Sequence, residues 1–282
     1  MDQLLNLLGY EFVQNAIVAG FVIAIVSGVV SPFVVARNMS FAVHALSELG
    51  FTGAAGFILI GLSPVLGLLA GSAATAVFIG TLGARVRGRD SVIGLVMAFG
   101  LGLGVLFITL YPKYANEAFA LLFGTINGVS HGDVLFLTGI AIAALVALGI
   151  VYRPLTFATV DPEVAEARGV PVRALGIVFL LIMAIAVAEA IQIVGVLLIL
   201  TLLITPGATA ERLTARPGQA TLYSVAVALF CTIGGILLAL TTNAPVSVFV
   251  TSLSFASYLV ARFGVGPILE SRSSRGVAVE AS

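Results

Sequence analysis

Charged side chains are scarce in this sequence. Only 9% of its 282 residues are Asp, Glu, Lys or Arg, whereas a soluble globular domain carries roughly 25%. Residues 12–36 and residues 91–112 contain no charged side chain at all. Because a helix crosses the hydrocarbon core of a bilayer with about 20 apolar residues, the chain is predicted to be an all-α, polytopic transmembrane helical bundle.

Cysteine and the common catalytic motifs are also nearly absent. Cys231 is the only cysteine, so the chain forms no internal disulfide and holds no cysteine-based metal cluster. The sequence contains no Walker A loop, which excludes ATP hydrolysis by this chain, and no Gly-x-Ser-x-Gly elbow of a hydrolase. The formal net charge of zero gives no sign of nucleic-acid binding. We therefore expect no enzymatic activity and no tightly bound cofactor.

Breaks rich in Gly, Pro or charge divide the apolar sequence into about nine predicted spans. They lie at roughly 13–36, 40–60, 64–84, 91–111, 133–152, 172–189, 192–209, 219–241 and 245–262. The count falls to eight if residues 172–209 form one long helix. The apolar segment between Lys113 and Asp133 is too short to cross and is predicted to be half-buried or re-entrant. Residues 1–266 then form one transmembrane domain, and residues 267–282 form a disordered tail.

The basic residues are distributed very unevenly between the two sets of loops. Of the 13 Lys and Arg residues, only Lys113 falls in one set of alternate loops, and all the arginines fall in the other. Cytoplasmic loops carry the excess of Lys and Arg. The sequence therefore predicts a multi-pass protein of the cytoplasmic (plasma) membrane, with its N-terminus outside and its C-terminus inside.

One histidine and one glutamate lie within the second predicted span. His44 and Glu48 are four residues apart and therefore share one face of a helix. An unpaired carboxylate in lipid is costly, so both side chains should face the protein interior or a water-filled path. Imidazole nitrogen and carboxylate oxygen both bind divalent transition metals. From the spacing alone, a transient metal contact and a hydrogen-bonded pair that joins helices are equally good interpretations.

Two further polar positions are weaker candidates for metal ligands. We place Glu189 and Gln192 at the outer membrane boundary between two spans. A carboxylate there is most often a boundary residue in water, and it can also meet an incoming cation or a docking partner. His131 lies beside Asp133 at a predicted helix start on the outer side. An exposed histidine is usually only solvated, so Glu189 and His131 remain secondary candidates.

The longest cytoplasmic loop, residues 153–173, contains a short predicted helix. Asp161 precedes a proline, which is the pattern of an N-cap followed by proline at the first helical position, and Gly169 can end the helix. From composition alone, this segment is equally a plain connector or a docking element. Its polar residues are Asp161, Glu163, Glu166 and Arg168.

A second proline–glycine pair lies near the end of a predicted span. Pro206 and Gly207 are predicted to interrupt that helix before its cytoplasmic end. A gate or hinge and a simple kink are both open interpretations of this pair.

Four stretches of the sequence, in this order, resemble the membrane permeases of metal-type ABC importers, the zinc, manganese and iron family. They are SPFVVARNMSFAVHALSELGFTGAAG, ALLFGTINGVSHGDVLFL, the block from Asp161 to Ala210, and NAPVSVFV. In that family the Met-Ser pair is followed by an Asp, and a His comes four residues after that Asp. Here His44 takes the place of the Asp and Glu48 the place of the His, so the order of imidazole and carboxylate is reversed.

The resemblance implies an assembly and a set of roles. Two copies of the chain, a homodimer, would surround a central path, driven by cytoplasmic ATPase subunits and supplied by an extracytoplasmic metal-binding protein. The helix from Asp161 to Gly169 would seat in the ATPase as the coupling element. His44 and Glu48 from both copies would give two nitrogens and two carboxylates, a donor set that suits zinc and also accepts manganese.

The expected function is therefore that of the permease subunit of an ATP-driven importer of divalent metal ions, with zinc as the first candidate. Manganese and iron are alternatives within the same family. A permease for a metal chelate, such as a siderophore or cobalamin, and a secondary transporter working alone also remain open. The secondary transporter would need no coupling helix.

Overall fold

The computed structural model describes residues 10–82, 89–110, 121–122, 131–196, 199–242 and 244–265. All regular secondary structure in these ranges is helical. The helices are α1 (Glu11–Ala36), α2 (Ser40–Leu59), α3 (Pro64–Leu82), α4 (Arg89–Leu110), α5 (His131–Val160), α6 (Pro162–Ala167), α7 (Val172–Val194), α8 (Ile199–Leu213), α9 (Pro217–Leu240) and α10 (Val246–Leu259), which a π-helical turn (Val260–Val265) extends. The predicted tail and most of the segment predicted to be re-entrant lie outside the described residues.

Eight of these helices, all except α6 and α8, are long and apolar enough to cross a membrane. This confirms the predicted all-α, polytopic bundle of eight or nine spans. Successive helices run back and forth: Ser72 of α3 donates its hydroxyl proton to the carbonyl of Leu46 in α2, and Gly235 of α9 packs on Val250 of α10.

The break between α7 and α8 lies further along the chain than predicted. We expected it near Glu189–Gln192, but α7 continues to Val194 and ends at Gly195. Gly195 has a φ of 80°, which favours glycine because it lacks a Cβ. The predicted boundary is wrong because it assumed that the carboxylate of Glu189 lies in water at the end of a span. Glu189 is instead buried inside the protein, within α7.

Helix α8 returns the chain to the face from which α7 started. Near that face Ser31 of α1 touches Gly207 of α8, Gly28 of α1 packs on Val225 of α9, and Phe33 packs on Phe179 of α7. With 15 residues, α8 is about 22 Å long. It is shorter than the roughly 30 Å hydrocarbon core of a bilayer, and it brings the chain back toward that face.

Pro206 does not end its helix, contrary to the prediction. Helix α8 runs through Pro206 to Leu213. The hydroxyl of Ser31 in α1 bonds to the backbone of α8 beside Pro206. The backbone N–H of Gly207 donates to Ser31 Oγ at 2.8 Å, and that hydroxyl donates to the carbonyl of Ile204 at 3.3 Å. A neighbouring helix thus supplies hydrogen-bond partners to backbone groups beside the proline, as occurs in transmembrane helices.

Candidate functional site

His44 and Glu48 form a contact pair on one face of α2. Nε2 of His44 lies 3.2 Å from Oε1 of Glu48, as the spacing of four residues predicts. The side chains retain 36% and 15% of their exposure, respectively. The pair is therefore only partly buried, although it lies on a membrane-spanning helix.

The geometry of this pair fits two donors of one cation. Metal bonds of about 2.1 Å that meet at roughly 90–110° place two donor atoms about 3.0–3.4 Å apart. The observed separation of 3.2 Å falls in that range. The other imidazole nitrogen, Nδ1, makes no hydrogen bond within the described part of the chain, so the ring is held on one side only and can adjust to an ion.

The pair by itself offers one imidazole nitrogen and one carboxylate, fewer donors than the four that a zinc ion takes. Among the described residues, no three His, Cys, Asp or Glu side chains come together. A pair of donors per chain holds a cation weakly unless water, a delivering protein or a second copy completes the shell. That arrangement suits an ion in passage rather than a resident cofactor.

Glu189 is placed differently from our prediction. We expected a boundary residue in water, but Glu189 is 0% exposed, and neither of its carboxylate oxygens has a hydrogen-bond partner in the described structure. The prediction was wrong because α7 is an interior helix that packs against α1, α2, α3 and α5. Gln192, one turn further on, is half-buried, and its Nε2 makes no hydrogen bond to the described residues.

His131 is the first residue of α5, so the predicted helix start is confirmed. Its side chain lies outside the described part of the structure, and its assignment as a metal ligand stays a prediction.

The short helix α6 forms as the sequence indicates. Asp161 is its N-cap and accepts the backbone N–H of Val164 at 3.0 Å, with Pro162 at the first helical position. Gly169 closes the segment with a φ of 82°. Ala165 is buried against the bundle, whereas the polar residues project outward. The exposed members are Glu163, Glu166 and Arg168.

Arg37 is a residue whose role the sequence did not reveal. It lies in the turn that precedes α2, and its Nη1 donates to Thr159 Oγ1 at 3.2 Å, two residues before the N-cap of α6. Its guanidinium carbon also lies 5.8 Å from the ring centre of Phe179 in α7. Arg37 thus links the start of the helix that carries His44 and Glu48 to both helices that flank α6. In the sequence it counted only as one more basic loop residue.

Comparison with known proteins places the chain in a family. The family model "ABC 3 transport family" matches residues 9–264. The chain belongs to this family. It is a membrane permease of the metal-type ABC importers, and the resemblance read from the sequence is confirmed.

Two curated relatives are named for manganese transport. The manganese transport system membrane protein MntC of Halalkalibacterium halodurans is 33% identical over 212 residues, which cover 75% of this chain and 73% of the relative. The manganese import system permease protein ScaB of Streptococcus parasanguinis is 27% identical and is matched over 90% and 91% of the two chains.

A solved structure, PsaBC from Streptococcus pneumoniae in complex with Fab, shares the fold of this chain. It has a TM-score of 0.86 at 25% identity, with 96% of this chain and 99% of that chain covered. The eight long apolar helices and the family together indicate a multi-pass plasma membrane protein.

Proposed function

We propose that the chain is the permease subunit of an ATP-driven importer of a divalent first-row metal ion, with manganese as the first candidate. The observation that carries this proposal is the half-buried His44–Glu48 pair at 3.2 Å, on one face of a membrane helix, in a chain of this family. The mixed nitrogen and oxygen donors accept manganese and also zinc. The names of the two curated relatives favour manganese, while zinc, the first expectation from the donors, is the second candidate.

The assembly that we propose contains two copies of this chain and two cytoplasmic ATPase subunits, with an extracytoplasmic protein that delivers the metal. The face with the excess of arginine is cytoplasmic, so the N-terminus is outside and the C-terminus inside. The exposed side of α6, with Asp161, Glu163, Glu166, Arg168 and Gly169 along it, seats in the ATPase. ATP binding and hydrolysis move α6, and the permease copies alternate between outward-open and inward-open states.

Rescue of metal uptake tests this function directly. A bacterial strain that lacks its own manganese and zinc importers would receive this chain together with the ATPase and binding-protein genes of its source. We expect growth and manganese accumulation to recover at limiting manganese. Recovery with zinc alone would reverse the order of the two metals, and failure with both metals in cells that contain the assembled complex would contradict the proposal.

Coupling through Arg37 gives a second prediction. Replacement of Arg37 by Gln removes the charge that stacks on Phe179 and weakens the bond to Thr159. We expect about a tenfold loss of metal uptake in the reconstituted transporter while ATP hydrolysis continues, because α6 would move without carrying α2 along. The size follows from the loss of one charge-assisted hydrogen bond of about 1.5 kcal/mol or more.

Arg262→Gln is the matched control for Arg37. It removes the same charge from a residue whose hydrogen bond goes to Tyr258 of the adjoining turn. Uptake should stay within twofold of wild type. Equal loss of uptake and ATP hydrolysis in Arg37→Gln would show that Arg37 is needed for assembly rather than for coupling.

A further inference from the structure

Glu189 is the one acidic or basic side chain that is fully buried among the described residues. It is 0% exposed within the chain itself, so it faces the protein interior and not the lipid. Both carboxylate oxygens lack a hydrogen-bond partner in the described structure. A buried carboxylate that is left alone is costly, so it either takes up a proton or holds a cation.

The surroundings of Glu189 provide no positive side chain from its own part of the sequence. Residues 174–211, which include nearly all of α7 and α8, contain no Lys, Arg or His. Six residues after Glu189 the chain leaves the helix at Gly195, with a positive φ. The C-terminal end of a helix carries partial negative charge from its free carbonyl groups.

Gln192 is a second polar side chain, one helical turn after Glu189 in α7. At a spacing of three residues it lies on the same side of α7 as Glu189. Its Nε2 makes no hydrogen bond within the described structure. Its amide group can therefore turn to present its oxygen to an ion that the carboxylate holds.

The position of Glu189 is separate from that of the His44–Glu48 pair, since no third acidic or histidine side chain joins the pair among the described residues. Glu189 lies ten residues beyond Phe179, which packs on Phe33 near the face where α1 ends. Glu48 lies eight residues beyond the start of α2 at that same face. Phe33 lies three residues before the end of α1, so at 1.5 Å per residue Glu189 lies roughly 8 Å further from this face than Glu48 does.

We propose that Glu189 and the amide oxygen of Gln192 form an all-oxygen site that the transported divalent cation occupies before it reaches His44 and Glu48. The inference rests on the proposed function. Carboxylate and carbonyl oxygens suit manganese better than zinc, which gains more from imidazole or thiolate donors. Glu189 therefore contributes to the preference for the metal and not only to its passage.

Uptake kinetics of the whole transporter with Glu189→Gln provide the first test. The substitution keeps the shape of the side chain and removes its charge. With the complex in vesicles, we expect the KM for manganese to rise at least tenfold and the preference for manganese over zinc to fall. Glu211→Gln is the matched control, because it removes the other carboxylate of residues 174–211 from a position that is exposed at the end of α8; its kinetics should match wild type.

Metal binding provides a readout that does not depend on transport. We would measure manganese binding to the purified complex by equilibrium dialysis in a His44→Ala, Glu48→Ala background. Residual binding should disappear when Glu189→Gln is added. Equal binding with and without Glu189→Gln, or an unchanged KM in the single variant, would overturn the inference and make Glu189 a protonated packing residue. A wild-type transporter that moves neither manganese nor zinc would instead refute the proposed function.

Discussion

Replacement of Gly67 by Leu is expected to abolish the accumulation of folded protein. Gly67 lies where α2 and α3 touch backbone to backbone: a Cβ at this position would lie 2.5 Å from the carbonyl oxygen of Gly53 and 2.7 Å from Cα of Ala54. Small residues allow such close approach between membrane helices. Overpacking in a core costs about 1–3 kcal/mol when side chains can move aside, and here the obstacle is backbone. The two helices would have to separate.

Gly102→Leu is the control for the replacement of Gly67. Gly102 lies in α4, is exposed, and would have no atom within 4 Å of an added Cβ. Size-exclusion chromatography of a fluorescent fusion in detergent should show a single monodisperse peak for Gly102→Leu and aggregate for Gly67→Leu. A normal peak for Gly67→Leu would mean that the α2–α3 crossing is looser than the structure shows.

The features that the sequence predicted correctly are those that depend on composition or on neighbouring residues. Long uncharged runs locate the spans because a bilayer excludes charge. The cap at Asp161 and the closing Gly169 depend on a few adjacent residues, so α6 follows directly from its local sequence. The spacing of His44 and Glu48 predicts their contact because a helix brings residues four apart together.

The features that the sequence did not predict depend on contacts between distant helices. Glu189 was expected in water because a carboxylate usually ends a span, and its burial depends on the helices that surround α7. Pro206 was expected to break its helix, and the hydroxyl that sustains α8 comes from Ser31, far away in the sequence. The sequence indicated only that Arg37 is a basic loop residue. Its contacts were not predictable because Thr159 and Phe179 lie on two other helices. No periodicity within one segment contains this information.

Replacement of both His44 and Glu48 by Ala should reduce metal uptake at least about 100-fold. Changes in groups that merely support a metal ligand cost about 10–100-fold, and this variant removes both direct donors from every copy of the chain. We would measure uptake by the reconstituted transporter, with its binding protein, at limiting manganese. Assembly of the complex should survive, because the pair is half-buried and its contact joins two side chains of one helix.

Exchange of the two residues separates metal chemistry from packing. His44→Glu with Glu48→His keeps one imidazole and one carboxylate four residues apart, in the carboxylate-first order of the family that the sequence resembles. If the pair contacts the cation, the exchanged variant should recover most of the uptake that the double alanine variant loses, because coordination depends on the donor atoms and their separation. If the pair only packs, exchange of a planar ring and a flexible acidic chain between sites of 36% and 15% exposure should restore nothing. Uptake in the exchanged variant equal to that of the double alanine variant, in a complex that still assembles, would therefore remove His44 and Glu48 from the path.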